Sequence, residues 1–184
     1  MIILRCTAKL QKFLSIPVSG VTTGDSGAEW YANLLWIQGR KCLLFCQADT
    51  LFSFFVPDVL KANVTSIGGF FVAQLTAELS SEALPPDCFG QMYPVNVVTA
   101  KTAGRSVLGS MNDQAFQCQH HVETAGGLDR LNVRELNRSL RRTPMGALKY
   151  AYPLDATKAM IGRAPDEHPL ARTPATSENG AKVR

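Results

Sequence analysis

The sequence predicts an α+β fold, in the form of a single compact domain with a mainly antiparallel sheet and three or four packed helices. A chain of 184 residues with 46% hydrophobic and 18% charged residues has the length and composition of one globular domain. Runs rich in aliphatic and aromatic residues dominate residues 31–56, which is typical of strands. Segments with helical spacing of apolar residues follow them along the chain.

The strongest strand signal is a hairpin. Residues 31–37 and 41–46 are apolar runs joined by the short connection Gln38-Gly39-Arg40. Both faces of these runs are apolar, so helices are expected to cover at least one side of the sheet. Further strands are expected at residues 2–4, 50–56 and 95–99.

Helices are expected where apolar residues recur every three or four positions. The predicted helices cover residues 7–14, 66–84, 110–124 and 133–142, and prolines or paired glycines end the last three. From about residue 155 the apolar periodicity disappears. We therefore expect the domain to span residues 1–153 and residues 154–184 to form a disordered tail.

Composition also excludes several classes of protein. No apolar run approaches the roughly 18–20 residues of a membrane helix, and the N-terminus lacks the pattern of a secretory signal. The five cysteines are odd in number and include no Cys-x-x-Cys pair, which indicates reduced thiols. We expect a cytoplasmic protein with no membrane contact, no metal and no cofactor.

The positive charge is local. The net charge is +4, yet residues 1–104 carry seven basic and seven acidic side chains, while residues 126–150 carry six basic and two acidic ones. Four arginines of the helix expected at 133–142 fall in one sector of roughly 100°, opposite its apolar residues. These arginines are Arg134, Arg138, Arg141 and Arg142.

Guanidinium groups bind phosphates and carboxylates through paired hydrogen bonds. The basic face therefore predicts contact with nucleic acid or with an acidic protein. Two alternatives remain open at this point: a solvated basic face near a helix C-terminus, and pairing of the arginines with acidic residues such as Glu123 or Glu135.

The second candidate is an anion site at the start of the helix expected at residue 110. Ser110 and Asp113 have the spacing of a capping box, and a helix N-terminus attracts anions. Ordinary capping is the favoured alternative, because Asp113 already places a negative charge there. The candidate anion-site residues are Arg105, Ser106, Ser110 and Asn112.

This second site would make the protein a small enzyme acting on an anionic, phosphate-bearing substrate. Asp113 and His120 could line its pocket, but they lie two helical turns apart, too far for direct contact. A pocket where Arg105, Asn112 and Asn33 converge would favour the enzyme. No nucleophile, base and orienting group can be assembled from the sequence, so no catalytic residue is assigned.

Several motifs in order carry a family resemblance. They include Arg-Lys-Cys-Leu-Leu-Phe at 40–45, Thr-Leu-Phe-Ser at 50–53, Arg-Ser-Val-Leu-Gly-Ser-Met-Asn-Asp at 105–113 and Thr-Pro-Met at 143–145. With them the chain resembles a bacterial family of uncharacterised proteins, the domain of unknown function 6933, over about residues 1–153. The resemblance implies a compact single-domain protein and implies no activity.

The sequence thus favours a non-enzymatic binding or accessory module whose basic helix contacts nucleic acid or an acidic partner. The small enzyme is the alternative from a different class. A third hypothesis is one partner of a two-protein bacterial system such as a toxin and its antitoxin, which depends only on the size of the chain and the obscurity of the family. The oligomeric state does not follow from the sequence.

Overall fold

A five-stranded sheet forms the centre of the domain. The computed structural model describes residues 1–17, 28–91 and 93–162. The strands are β1 (Ile2–Cys6), β2 (Glu29–Ile37), β3 (Arg40–Gln47), β4 (Ser53–Val56) and β5 (Val97–Lys101). Their order across the sheet is β4-β3-β2-β1-β5, so the first strand of the chain lies between the second and the fifth.

The α+β class is confirmed, and the sheet is mixed rather than mainly antiparallel. The pairs β2–β3 and β3–β4 are antiparallel, whereas β1 runs parallel to both β2 and β5. Parallel neighbours are joined by long connections, and here the partners of residues 2–6 lie at residues 29–32 and 97–101. A local apolar pattern carries no information about such distant pairing, which explains the difference from the expected sheet.

The predicted hairpin is confirmed, and Ile37 lies opposite Arg40 at its end. Gln38 and Gly39 form the connection, and both have positive φ angles of 51° and 77°. Positive φ at both central residues is typical of a type I′ turn, whose twist matches that of the two strands. Glycine adopts this conformation without steric cost, so Gly39 supports the turn.

Helices cover both faces of the sheet. One face carries α1 (Ala8–Leu14), α2 (Ile67–Ser81) and α5 (Pro153–Gly162), and the other carries α3 (Arg105–Thr124) and α4 (Val133–Arg141). The described residues therefore contain five α-helices, where three or four were expected. Within these residues, none of the helices combines the length and the apolar composition that crossing a bilayer requires.

The first core, between the sheet and α1, α2 and α5, is aromatic. The fully buried Trp30 ring makes edge-to-face contacts with Phe71 and Phe89, at centroid distances of 5.1 and 5.0 Å. Phe45 stacks on Phe54 at 4.8 Å. Each such pair contributes about 0.5–1.5 kcal/mol beyond the burial of its apolar area, and the contact of Phe71 with Trp30 helps to fix α2 against the sheet.

The second core, between the sheet and α3 and α4, contains most of the thiols. Cys42 and Cys46 lie on the same face of β3, as their spacing predicts, and Cys118 of α3 packs into the same core. All five cysteines are free. Burial raises the pKa of Cys46 and of Cys118 to about 12, so both remain neutral thiols near pH 7.

The folded region continues past the boundary expected at residue 153. In α5, Leu154 and Thr157 are buried, and Leu154 belongs to the first core. Residues 154–162 of the expected tail are therefore helical, because their apolar side chains reach the core. The remainder of the expected tail, residues 163–184, lies outside the described residues.

Candidate functional site

Helix α4 positions the arginines of the predicted basic face. Asn132 caps the helix, since its Oδ1 accepts a hydrogen bond of 3.2 Å from the backbone N–H of Glu135. Leu136 and Leu140 are buried in the second core. The predicted helix is confirmed, and it ends one residue before its predicted limit.

Arg141 does not lie on the exposed face. Its side chain is fully buried, with the guanidinium 5.0 Å from the ring centroid of Phe52. Its Nη1 donates to Oε2 of Glu78 at 2.7 Å, and its Nε donates to Oε1 of Glu82 at 2.9 Å. The prediction of four exposed arginines is therefore wrong for Arg141. This residue stands at the edge of the arginine sector, where the neighbouring helix α2 supplies both carboxylates.

Asn137 is a second buried polar residue of α4. Its Oδ1 accepts from the backbone N–H of Phe55 at 2.7 Å, and its Nδ2 donates to the Phe55 carbonyl at 3.2 Å. The side-chain amide thus pairs with the edge strand β4 as a further strand would. Nδ2 also donates to Oε1 of Glu78 at 2.8 Å. One amide therefore connects α4, β4 and α2.

Arg142 lies at the rim of the same network. Its Nη1 and Nη2 donate to the two oxygens of Glu82 at 2.8 and 2.6 Å. Burial opposes ionisation of Glu82, but the hydrogen bond from Arg142 and the charge of Arg141 outweigh it, so the pKa of Glu82 is lowered. We call Glu78, Glu82, Arg141 and Arg142 the carboxylate–arginine cluster. In this cluster, two arginines of the predicted face neutralise two carboxylates of α2.

Arg134 and Arg138 remain on the surface. Both side chains are exposed, and neither forms an ion pair within the part of the chain that the structure describes. Together with Arg142 they line a shallow groove of about 440 Å³. The lining of this arginine groove is Asn132, Arg134, Glu135, Arg138, Ser139 and Arg142. It is the portion of the predicted basic face that a ligand can reach.

The second predicted site depended on a helix start at Ser110, and this start is wrong. Helix α3 begins at Arg105 with Gly104 at its N-cap, so Ser110 lies inside the helix and is buried. Tyr31 fixes the N-terminus of α3, because its hydroxyl accepts a hydrogen bond of 2.8 Å from the Gly104 N–H. A Cβ at residue 104 would lie 2.7 Å from that hydroxyl, so the close approach requires glycine.

The candidate anion-site residues differ in exposure, and only Asn112 lines one of the described grooves. Arg105 and Ser106 are exposed in the first turn of α3, whereas Ser110 is buried. The Asn33 side chain accepts a hydrogen bond of 3.0 Å from the Thr7 hydroxyl. The described grooves therefore do not bring Arg105, Asn112 and Asn33 together.

Asp113 and His120 are the two further residues of α3 that were expected to line the pocket of an enzyme. Asp113 and His120 are exposed, and the His120 ring lies 6.5 Å from that of His121, centroid to centroid. Among the described residues, no three histidine, cysteine or acidic side chains are placed to hold a metal ion.

An ion pair that the sequence did not indicate joins β1 to its two neighbouring strands, β2 and β5. Arg5 donates through Nε to Glu29 at 2.6 Å and through Nη1 to the Lys101 carbonyl at 2.9 Å. Tyr31 donates to the same carboxylate at 3.0 Å. Burial raises the pKa of Tyr31, which keeps its hydroxyl protonated for this bond. These contacts stabilise the sheet near the start of α3.

A second groove, of about 370 Å³, lies between the end of β2 and α3. Two aromatic side chains on it are largely exposed, Trp36 by 60% and Phe116 by 75%. The lining of this aromatic groove is Lys9, Leu34, Leu35, Trp36, Ile37, Asn112, Ala115, Phe116 and Gln119. Sequence reasoning missed it, because Trp36 continues a strand pattern and Phe116 lies within a predicted helix, and neither pattern shows which side chains stay uncovered.

These features define the class of the protein as a mixed-sheet α+β domain whose surface carries the arginine groove and the aromatic groove. The family described as a domain of unknown function, DUF6933, matches residues 3–156, and the chain belongs to this family. The resemblance drawn from the sequence motifs is therefore confirmed. No curated protein and no solved structure matches the chain.

Proposed function

We propose that the protein is a non-enzymatic binding module whose arginine groove holds an acidic segment of a partner protein. The observation that carries this proposal is the pair Arg134 and Arg138, both exposed and both without an ion-pair partner among the described residues. Residues four apart on a helix have Cβ atoms about 5–6 Å apart. Two carboxylates of one segment can therefore each receive a bidentate guanidinium contact.

The composition of the arginine groove favours a protein segment over nucleic acid. Glu135 lines the groove, and its negative charge opposes a continuous phosphate backbone. Glu82 already neutralises much of the charge of Arg142. The lining also contains no aromatic ring on which a base could stack. Separate carboxylates on a flexible segment can avoid Glu135 and still reach both free arginines.

The alternative of a small enzyme acting on a phosphate-bearing substrate at Arg105, Ser106, Ser110 and Asn112 is less favoured, because Ser110 is buried and only Asn112 lines a described groove. The five free cysteines fit a reducing compartment, so the proposal includes a cytoplasmic location. A small two-protein system is one setting that would supply an acidic partner.

A labelled oligoglutamate peptide is a direct probe of this proposal. Its binding to the full chain is measured by fluorescence anisotropy at low and at high salt. The double variant Arg134→Ala/Arg138→Ala should weaken the low-salt affinity by roughly tenfold, because it removes two charged contacts of about 0.5–1 kcal/mol each. High salt should weaken binding by the wild-type chain and reduce the difference between the two proteins.

The matched control is Lys12→Ala/Lys158→Ala, which removes the same charge from exposed positions outside the arginine groove. Equal losses in the two double variants would contradict a specific site and indicate attraction to the net charge alone. A single-stranded oligonucleotide that binds more tightly than the peptide, and loses its affinity with Arg134 and Arg138, would replace the acidic protein with nucleic acid.

A further inference from the structure

The aromatic groove carries two large aromatic side chains whose exposure to solvent does not stabilise the fold. Trp36 lies near the end of β2 and Phe116 lies in the middle of α3, and both residues belong to the lining of this groove. The Trp36 ring stands on the sheet face of Lys41 and α1, whereas Phe116 stands on the α3 side, so the two rings border the groove from opposite sides. Both are more than half exposed, whereas the other tryptophan of the chain, Trp30, is fully buried. Aromatic rings grouped on an open groove are a mark of a binding surface.

The charge around this groove is positive. Lys9 of α1 belongs to the lining, and the lining contains no acidic residue. Lys12 is also exposed on α1, a helix without any acidic side chain. Lys41 places its Nζ 4.8 Å from the ring centroid of Trp36. Helix α3 brings two carboxylates near this lining: the exposed Asp113, next to Asn112, and Glu123, whose Oε1 accepts a hydrogen bond of 3.1 Å from Gln119. The lysines of α1 and β3 therefore place the positive charge on the side of the groove that faces Trp36.

We propose that the aromatic groove binds single-stranded nucleic acid, with bases stacked on Trp36 and Phe116 and phosphates paired with Lys9. Aromatic rings beside a positively charged track are the arrangement by which proteins hold single strands, since every base presents a face for stacking. The exposed side chain of Asn112 adds an amide that can donate to and accept from a base edge. A duplex fits less well, because its bases are already stacked on one another.

This site is separate from the arginine groove and uses different chemistry. The arginine groove offers guanidinium groups without a ring, whereas the aromatic groove offers rings beside lysines. The two proposals therefore stand or fall independently, and variants of one groove serve as controls for the other.

Tryptophan fluorescence provides a local readout in the full-length chain. Trp30 is inaccessible in the first core, so quenching by an oligothymidylate reports contact with Trp36. We expect quenching that saturates with oligonucleotide concentration, and anisotropy of a labelled oligonucleotide that follows the same curve. An abasic oligomer of equal length and charge should bind at least several-fold more weakly, because it cannot stack.

Substitutions at Trp36 and Phe116 isolate the contribution of base stacking to the affinity for the oligonucleotide. Trp36→Ala and Phe116→Ala should each weaken oligonucleotide binding by roughly tenfold, whereas Trp36→Phe should retain most of the affinity and lose the quenching. Tyr150→Ala is the matched control, because Tyr150 is 78% exposed and lies outside the groove. All three side chains are on the surface, and circular dichroism verifies that each variant is folded.

The phosphate contact is tested separately. Lys9→Ala should lower the slope of log affinity against log salt by about one, and Lys158→Ala should leave that slope unchanged. Three results would overturn the proposal: affinity that is unchanged in Trp36→Ala and Phe116→Ala, equal affinity for the abasic oligomer, or binding lost only with Arg134 and Arg138. Self-association that Trp36→Ala abolishes, without any oligonucleotide binding, would assign the groove to a second copy of the chain.

Discussion

Arg141 compensates the negative charges that lie between α2, α4 and β4. Its guanidinium is fully buried, contacts Glu78 and Glu82, and lies over the ring of Phe52. Taking a cation out of water costs several kcal/mol, and the cost is offset only where opposite charges and hydrogen bonds surround it. Because Glu82 is itself shared with Arg142, the two carboxylates and two cations stabilise one another as a unit.

Replacement of Arg141 by methionine should destabilise the protein by about 3–5 kcal/mol, because Glu78 and Glu82 would lose their buried cation. The measurement is the free energy of unfolding in urea. Arg138→Met makes the same chemical change on the exposed face of α4 and should alter stability by less than about 0.5 kcal/mol. Equal stability of the two variants would contradict the structural role assigned to Arg141.

Glu82 should make stability depend on acid pH. Its pKa is lower in the folded protein than in the unfolded chain, so its charged form stabilises the fold above the ordinary value of 4.5. This contribution is lost as the pH falls through the lowered pKa of the folded state. Thermal unfolding midpoints should show wild type more stable than Glu82→Gln at pH 7, with the difference shrinking steadily below about pH 4.5. A difference that is constant with pH would exclude this account.

At the scale of the helices, two serines show what a cap requires. Ser66 precedes α2, and its Oγ accepts a hydrogen bond of 3.0 Å from the Gly69 N–H. Ser110 carries the stronger sequence signal, with the acidic Asp113 three residues later where Ser66 has Gly69, but it lies within α3. A capping pattern in a sequence therefore marks a helix start only where the preceding residues leave the helical conformation.

Ser66→Ala should lower the free energy of unfolding by about 1 kcal/mol, the usual cost of losing an N-cap. Ser110→Ala should change it by less than about 0.5 kcal/mol, because it removes no cap and alanine favours a helix interior. Chemical denaturation of both variants under one set of conditions measures the contrast. A loss at Ser110 as large as that at Ser66 would indicate a helix that starts at residue 110 in solution.

The elements with local signals were predictable from the sequence. The hairpin depends on Gln38 and Gly39 between two apolar runs, and the structure places it there. The neighbours of β1 were not predictable, since nothing in residues 2–6 indicates pairing with residues 97–101. Apolar alternation reports burial of a strand and leaves the identity of its partners open.

The candidate sites were also predicted only in part, because a local pattern does not show which side chains the packing of distant elements buries. Arg138 and Arg141 fall in one helical sector, yet the first is exposed and the second buried. The difference comes from Glu78 and Glu82, about 60 residues earlier in the chain, which only the packing of α2 brings to Arg141. Likewise, exposure of Trp36 depends on what the neighbouring elements leave uncovered.

At the scale of the whole molecule, α5 belongs to the folded domain. A chain that ends at Gly162 should therefore be more stable than one that ends at Tyr152, by about 2 kcal/mol or more, because the shorter chain loses the buried side chains of Leu154 and Thr157. Thermal and urea unfolding of the two truncated chains measure the difference. Equal stability would mean that α5 adds nothing to the first core.

The central position of β1 has a consequence for how the protein is made. All five residues of Ile2–Cys6 are buried in the finished sheet, and this strand is synthesised well before its neighbour β5. One of its two neighbours, β5, ends only at Lys101. During synthesis, one edge of this apolar strand therefore stays unpaired until β5 has also emerged. In that interval the unpaired edge of β1 can pair with strands of other chains, and the docking of β5 ends this exposure.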